Sequence, residues 1–245
     1  MKKLAGCIVL LGLVCLVNGF IEFRYFYDNN IQNNSVKEIA VSDSNSDNPL
    51  DRIIDFSALR AINEDIKAWI YIPKTNIDYP ILVGNNDEEY IDKDINGEYN
   101  PLGSLFSYSG TNFTKGNSFI FGHNISSGQM FGSLKKYLIE DNYLEDNRYF
   151  YIYTERKIFK CYIYSIFICK YTDSFFYNQY DVDTADYASF LSKSLDKNYY
   201  ANNTLVTSVN DYSDMQMFSL VTCYGRQGTS DRLVINGLSV EEKMY

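Results

Sequence analysis

The chain has one histidine in 245 residues, and its five cysteines (Cys7, Cys15, Cys161, Cys169 and Cys223) include no pair at zinc-ligand spacing. That poverty leaves a Cys/His metal centre almost nothing to draw on. The odd cysteine count does not read as a disulfide framework. Cys161 and Cys169, in an aromatic strand-like stretch, read as small buried apolar residues. Positive charge is also in deficit, with 22 Lys and Arg against 31 Asp and Glu, a formal net charge of -9. Such a chain repels phosphate backbones, so nucleic acid is excluded as a partner, and long-range attraction favours cations. The acidic groups Asp87-Glu88-Glu89 and Asp92–Asp94 lack the ligand pattern of a calcium loop and read as a solvated face. No metal or cofactor is expected. Internal repeats are absent, and so is the regular βα alternation of a doubly wound sheet.

Apolar residues are plentiful at 46%, and aromatics reach 16% with 23 Tyr. That is enough for a packed core and excludes a largely disordered chain. Tyr and Phe suit half-buried pleated surfaces, so the composition leans towards β.

Lys2 and Lys3 precede an uncharged stretch from Leu4 to Phe20. Seventeen helical residues span roughly 25 Å, a little short of the hydrocarbon core. Ile21, Phe23, Tyr25, Phe26 and Tyr27 follow as an interfacial belt. Residues 1–28 are read as an uncleaved membrane anchor with a cytoplasmic N-terminus, which places the rest outside the cell. A cleaved signal peptide fits less well, because Val17-Asn18-Gly19 is a poor small-x-small site. A lipobox at Leu4-Ala5-Gly6-Cys7 lacks the apolar run that should precede it. Residues 29–50 are rich in Asn, Ser and Asp and read as a solvated spacer. Residues 51–245 form the remaining domain.

Within it, apolar spacing from Leu50 to Ile66 predicts one or two short helices capped by Asp55 or Ser57. Strands are predicted at 69–73, 77–82, 103–108, 117–123, 149–153, 157–169, 217–223 and 232–240. Pro80 suggests an edge or a bulge. Short helices are predicted at 131–138 and, capped by Asp183 or Thr184, at 184–195. Eight short strands with few helices are most economically a closed or partly closed β-barrel, since closure removes exposed strand edges.

Three residues carry candidate chemistry. His123 ends one strand in Gly-His-Asn, Cys223 ends another in Leu-Val-Thr-Cys, and Arg232 opens the strand after the next loop. A thiol becomes a nucleophile as thiolate, beside a base or cation. An imidazole serves as base and then as acid towards a departing amine. A guanidinium is a permanent cation whose donors suit a developing oxyanion, and the Tyr224 N–H is a candidate second donor. Taken singly, each residue also has an ordinary structural explanation: a hydrogen-bonded surface histidine, a buried cysteine, a solvated arginine.

Taken together and in order, the motifs resemble the sortase family. Leu59–Pro80 (LRAINEDIKAWIYIPKTNIDYP) resembles the opening of class B sortases. Gly103-Ser104-Leu105-Phe106, Gly122-His123-Asn124, Leu220-Val221-Thr222-Cys223 and Arg232-Leu233-Val234-Ile235 resemble the elements that follow it, over about residues 55–240. The resemblance implies a mainly β fold, an eight-stranded sortase-type barrel with N-terminal helices and a helix between strands six and seven. It implies His123, Cys223 and Arg232 as the catalytic set, with Asn124, Thr222 and Tyr224 as substrate- or oxyanion-binding neighbours. Arg226, three residues past Cys223, competes with Arg232. The implied reaction cleaves a Pro-x-Thr-type signal near the C-terminus of a secreted protein after Thr. The Thr carboxyl is then joined to a peptidoglycan amine, of a stem peptide or its precursor, through a cysteine acyl-enzyme. A hydrolysing cysteine protease and a non-catalytic surface binding protein are the alternatives. The implied setting is the cell membrane, in contact with its lipid, with an extracellular catalytic domain.

Overall fold

The computed structural model describes residues 2–42, 47–199, 212–225 and 228–245; within the first helix, side chains are described at 19–20 and from 23 onward. Eight strands close into one barrel. In chain order they are β3 (Ile66–Tyr71), β4 (Asp78–Leu82), β5 (Leu105–Ser107), β6 (Asn117–Phe121), β7 (Tyr149–Thr154), β8 (Lys157–Lys170), β9 (Met217–Cys223) and β10 (Asp231–Met244). Around the barrel they run β10-β8-β7-β3-β4-β5-β6-β9. The β4–β5 and β6–β9 pairs are parallel and the rest antiparallel. Two further strands, β1 (Val41–Ser42) and β2 (Ile53–Ile54), pair outside the barrel. The helices are α1 (Lys2–Ala40), α2 (Phe56–Ile62), α3 (Lys136–Ile139), α4 (Tyr143–Asp146) and α5 (Ala185–Asp196). α5 lies between the sixth and seventh barrel strands, as expected.

Side-chain alternation sorts the core into an interior and two outer layers. Ala68 and Ile70 of β3 point into the barrel, while Trp69 points out beneath α1 and α2. On β8, Phe159, Cys161 and Ile163 face inward, and so does Ile166. The parity changes because the β8–β10 register skips a residue between Ser165 and Ile163. A bulge of that kind turns the following side chains to the opposite face. Phe167 and Cys169 therefore lie outside, against a third cluster that α5 covers with Tyr187, Phe190 and Leu191.

Pro80 occupies neither an edge strand nor a bulge. β5 pairs only with Ile81 and Leu82, so Pro80 sits where β4 has no second neighbour to receive an N–H. The predicted helical stretch from Leu50 to Ile66 is shorter than its apolar spacing suggested. Asp55 caps α2 by accepting from the Ala58 N–H at 2.9 Å. Asn63 ends it, with its side chain bonded to the Ile95 carbonyl and the Tyr90 hydroxyl. Ile66 already belongs to β3. The helix expected at 131–138 contracts to α3, because Phe131 and Leu134 are drawn into the barrel core as turns.

Of the solvated spacer expected at 29–50, residues 43–46 lie outside the described residues, and the stretch up to Ala40 is helix instead. α1 continues to Ala40 and lies on the domain, burying Asn29, Val36 and Ala40. Gln32 donates to Asp94 at 3.0 Å. Lys37 pairs with Asp78, which also holds the buried Arg52 at 2.9 Å and accepts from Trp69 Nε1 at 2.7 Å. Polar composition had suggested solvent, but Gln32 and Lys37 find acidic partners on the domain. The apolar run at 4–20 falls almost wholly on side chains outside the description. Among the described residues, no helix is long and apolar enough to cross a membrane.

Candidate active site

The parallel β6–β9 register sets the site. It runs from Asn117↔Met217 to Phe121↔Val221, and the Gly122 N–H continues it by donating to the Val221 carbonyl at 3.1 Å. Two residues past Phe121 and Val221 stand His123 and Cys223, at one level at the end of the pair. On the other side of β9, the antiparallel β10 places Arg232 directly opposite Cys223. Directly opposed residues project to the same face of a sheet. Leu220, Leu233 and Ile235 face the interior while Val221 and Val234 face out, so Cys223 and Arg232 share the outer face.

There the three line a cleft of about 190 Å³ with Thr222, Phe106, Phe121, Tyr108 and Tyr171. Cys223 and His123 are both half-buried. Among the described residues, no hydrogen bond joins the Cys223 thiol to the imidazole. His123 Nε2 meets the Ile91 carbonyl at 2.7 Å. A carbonyl only accepts, so Nε2 carries a proton, and in the neutral tautomer that this contact selects Nδ1 is the bare nitrogen. Arg232 is steadied at one tip of its fork, where Nη1 donates to the carbonyls of Thr229 at 3.0 Å and Asp231 at 3.1 Å. Its guanidinium lies 5.6 Å from the Tyr171 ring centre. The remaining N–H groups of the fork have no partner among the described residues.

Three of the expected neighbours do other work. Asn124 donates to the Cys223 carbonyl at 2.9 Å, bracing the backbone rather than facing the cleft. Thr222 lines the cleft, but its hydroxyl donates to the Gly122 carbonyl at 2.7 Å, tying β9 to the histidine strand. The Tyr224 N–H, expected as an oxyanion donor, is spent on the Asp231 carbonyl at 3.0 Å, because the β9–β10 ladder runs one step past Cys223. Its ring packs against the barrel core. Arg226 lies outside the described residues. The Asp231 carboxylate pairs with Lys170 at 2.6 Å, so this residue reaches Arg232 through its carbonyl.

Sequence reasoning missed one wall. Asp87 and Glu88, read as a solvated face, line the cleft with Ile91. Asp87 accepts the Ser109 N–H at 2.8 Å. Burial, and then the two carboxylates, push the Tyr108 hydroxyl up to about 12. The signal for this wall was the segment's position just before the Gly-Ser-Leu-Phe element, not any local pattern. Among the described residues, no three His, Cys, Asp or Glu side chains gather as metal ligands.

A thiol, an imidazole and a guanidinium at one end of a closed barrel define a cysteine acyl-transfer site. The chain matches the sortase-domain family model over residues 70–240. It is 30% identical to Sortase B of Listeria monocytogenes over 183 residues, 73% of this chain and 71% of that one. It is 26% identical to Sortase B of Staphylococcus aureus, covering 74% and 72%. Among solved structures, a sortase B from Bacillus anthracis superposes with a TM-score of 0.74 at 25% identity, over 89% of this chain and 99% of that one. The X-ray structure of Clostridium perfringens sortase B gives 0.66 at 25% identity, over 76% and 100%. The chain belongs to the sortase family, on the class B side, and is a cysteine transpeptidase.

Proposed function

We propose that this transpeptidase acts through Cys223, His123 and Arg232 on a Pro-x-Thr-type sorting signal of secreted proteins. The observation that carries the assignment is the double register around β9, with His123 level with Cys223 on one side and Arg232 opposite it on the other. The Cys223 thiol gives its proton to His123, and the sulfur attacks the Thr carbonyl carbon. The developing oxyanion is met by the free N–H groups of the Arg232 fork. The C–N bond then breaks as His123 delivers a proton to the leaving amine, and a thioester remains on Cys223. A peptidoglycan amine attacks the thioester and gives up a proton to His123, the C–S bond breaks, and the departing sulfur takes that proton back. Arg232 is favoured over Arg226 because a strand and two carbonyl bonds hold it still.

Residues 1–28 act as the membrane anchor in this reading, with α1 continuing from it onto the catalytic body. The cell membrane is then the setting, with an extracellular catalytic domain and lipid around the N-terminal segment.

The test incubates the full chain with internally quenched Pro-x-Thr peptides, with and without a nucleophilic amine, and follows products by mass spectrometry. Cleavage after Thr with amine incorporation, lost in Cys223→Ala, supports the reading. Cleavage with no amine incorporated points to a protease, and no acyl-enzyme with any peptide points to a binding protein. For the anchor, the full chain should sediment with membranes and leave them only with detergent; release by salt alone would refute it.

A further inference from the structure

Gly103 has a positive φ of 57°, which favours glycine, and a second constraint as well. A Cβ at this position would stand 2.4 Å from the Ile91 carbonyl oxygen and 2.8 Å from that of Tyr90. No real Cβ sits so close, so any side chain at 103 must push those carbonyls away. The same Ile91 oxygen accepts the proton of His123 Nε2. The next residue ties the segment further: the Ser104 N–H donates to the Tyr90 carbonyl and its hydroxyl to the Lys93 carbonyl, each at 3.0 Å. Leu105 then enters the barrel as the first residue of β5.

From this chain of contacts we infer that Gly103 is a positioning residue for His123, acting through the Ile91 carbonyl. Its bare α-carbon lets the 90–93 segment close onto the start of β5. The carbonyl so held takes the Nε2 proton, which fixes the ring's tautomer and its rotation and leaves Nδ1 as the nitrogen for proton transfer. The role rests on His123 being the acid/base of the proposed reaction. The tautomer does not, and it is measurable without turnover.

The experiment uses the full chain labelled with nitrogen-15. His123 is the only histidine, so a single pair of imidazole nitrogen signals reports the tautomer. The wild type should carry its neutral-state proton on Nε2, and Gly103→Ala should show a mixed or reversed tautomer. In peptide transfer, Gly103→Ala should lose roughly tenfold to a hundredfold in kcat, with KM within about twofold and a displaced pH profile. Gly97→Ala is the control. Gly97 has a φ of 80° but open space around its Cβ position, so it imposes the backbone strain without the displacement. It should leave kcat, the pH profile and the tautomer unchanged. A wild-type proton on Nδ1 overturns the inference whether or not Gly103→Ala folds. So does Gly103→Ala with wild-type tautomer and kcat, or an equal kcat loss in Gly97→Ala. A wild type that transfers no peptide refutes the functional reading separately, and the tautomer still decides the inference.

Discussion

Arg232 has a cysteine on each side. The β10 register sets it opposite Cys223 of β9 and opposite Cys169 of β8, so three side chains stand in a row on the barrel's outer face. One thiol ends its strand at an open cleft beside an imidazole. The other packs against the aromatic cluster under α5. Burial, with Asp173 nearby, pushes the Cys169 thiol up to about 11, against the smaller opposing pull of Lys197 and Arg232. A shared cation therefore does not make a nucleophile. What separates the two thiols is their surroundings: Cys223 shares a cleft with an imidazole, whereas Cys169 packs on aromatic rings with no imidazole beside it.

The largest expected effect breaks the pair outright. Cys223→Ala should abolish the acyl-enzyme, with a loss on the order of 10⁴-fold or more in turnover, while Cys169→Ala stays within a few-fold of wild type. Intact-mass detection of the thioester decides it, and a thioester on Cys169 would overturn the comparison. Next comes the base. His123→Ala should lose roughly 10²–10⁴-fold in kcat, because Cys223 then has the cation without the imidazole.

Arg232→Ala should lower kcat by about 10²–10³-fold, or 2–4 kcal/mol of transition-state stabilisation. A larger loss in Arg226→Ala would transfer the role to that residue. Alkylation sharpens the contrast without removing either thiol. The thiolate is the reacting form, so a raised pKa leaves roughly one Cys169 in a thousand reactive at pH 8. Cys169 labelling should climb about tenfold per pH unit towards 11 and lag well behind that of Cys223. Equal labelling of the two at pH 8 would contradict the burial argument. Smallest is the helix that covers the inert side. Thr184 caps α5 by accepting from the Tyr187 N–H at 3.2 Å, and Thr184→Ala should cost about 1 kcal/mol of stability in thermal unfolding. Loosening α5 in that variant should also raise Cys169 labelling relative to Cys223.

Much of this was legible along the chain. Strand-like runs bounded by turn residues marked all eight barrel strands, and the limits of β9 matched residue for residue, because period-two patterning is a local property. The ordered motifs singled out His123, Cys223 and Arg232, the three residues that line one cleft and that the proposed reaction uses. The hydrogen bonds of their neighbours were not legible, for a shared reason. The hydrogen bonds of Asn124, Thr222 and the Tyr224 N–H are settled by which strand lies alongside, and no local pattern reports that. The same holds for the Asn-rich segment that packs as part of α1 and for the acidic wall of the cleft.

The sequence by itself determined the chemistry available here: one imidazole, a strand-ending thiol, a guanidinium at the head of the following strand, and a strongly β composition. Only the tertiary structure decided how they meet. The parallel β6–β9 pair brings residues a hundred positions apart to one level, and packing around the barrel sets Cys223 on the cleft and Cys169 against the aromatic cluster under α5. Both outcomes depend on long-range strand pairing and burial, which act between segments rather than within them.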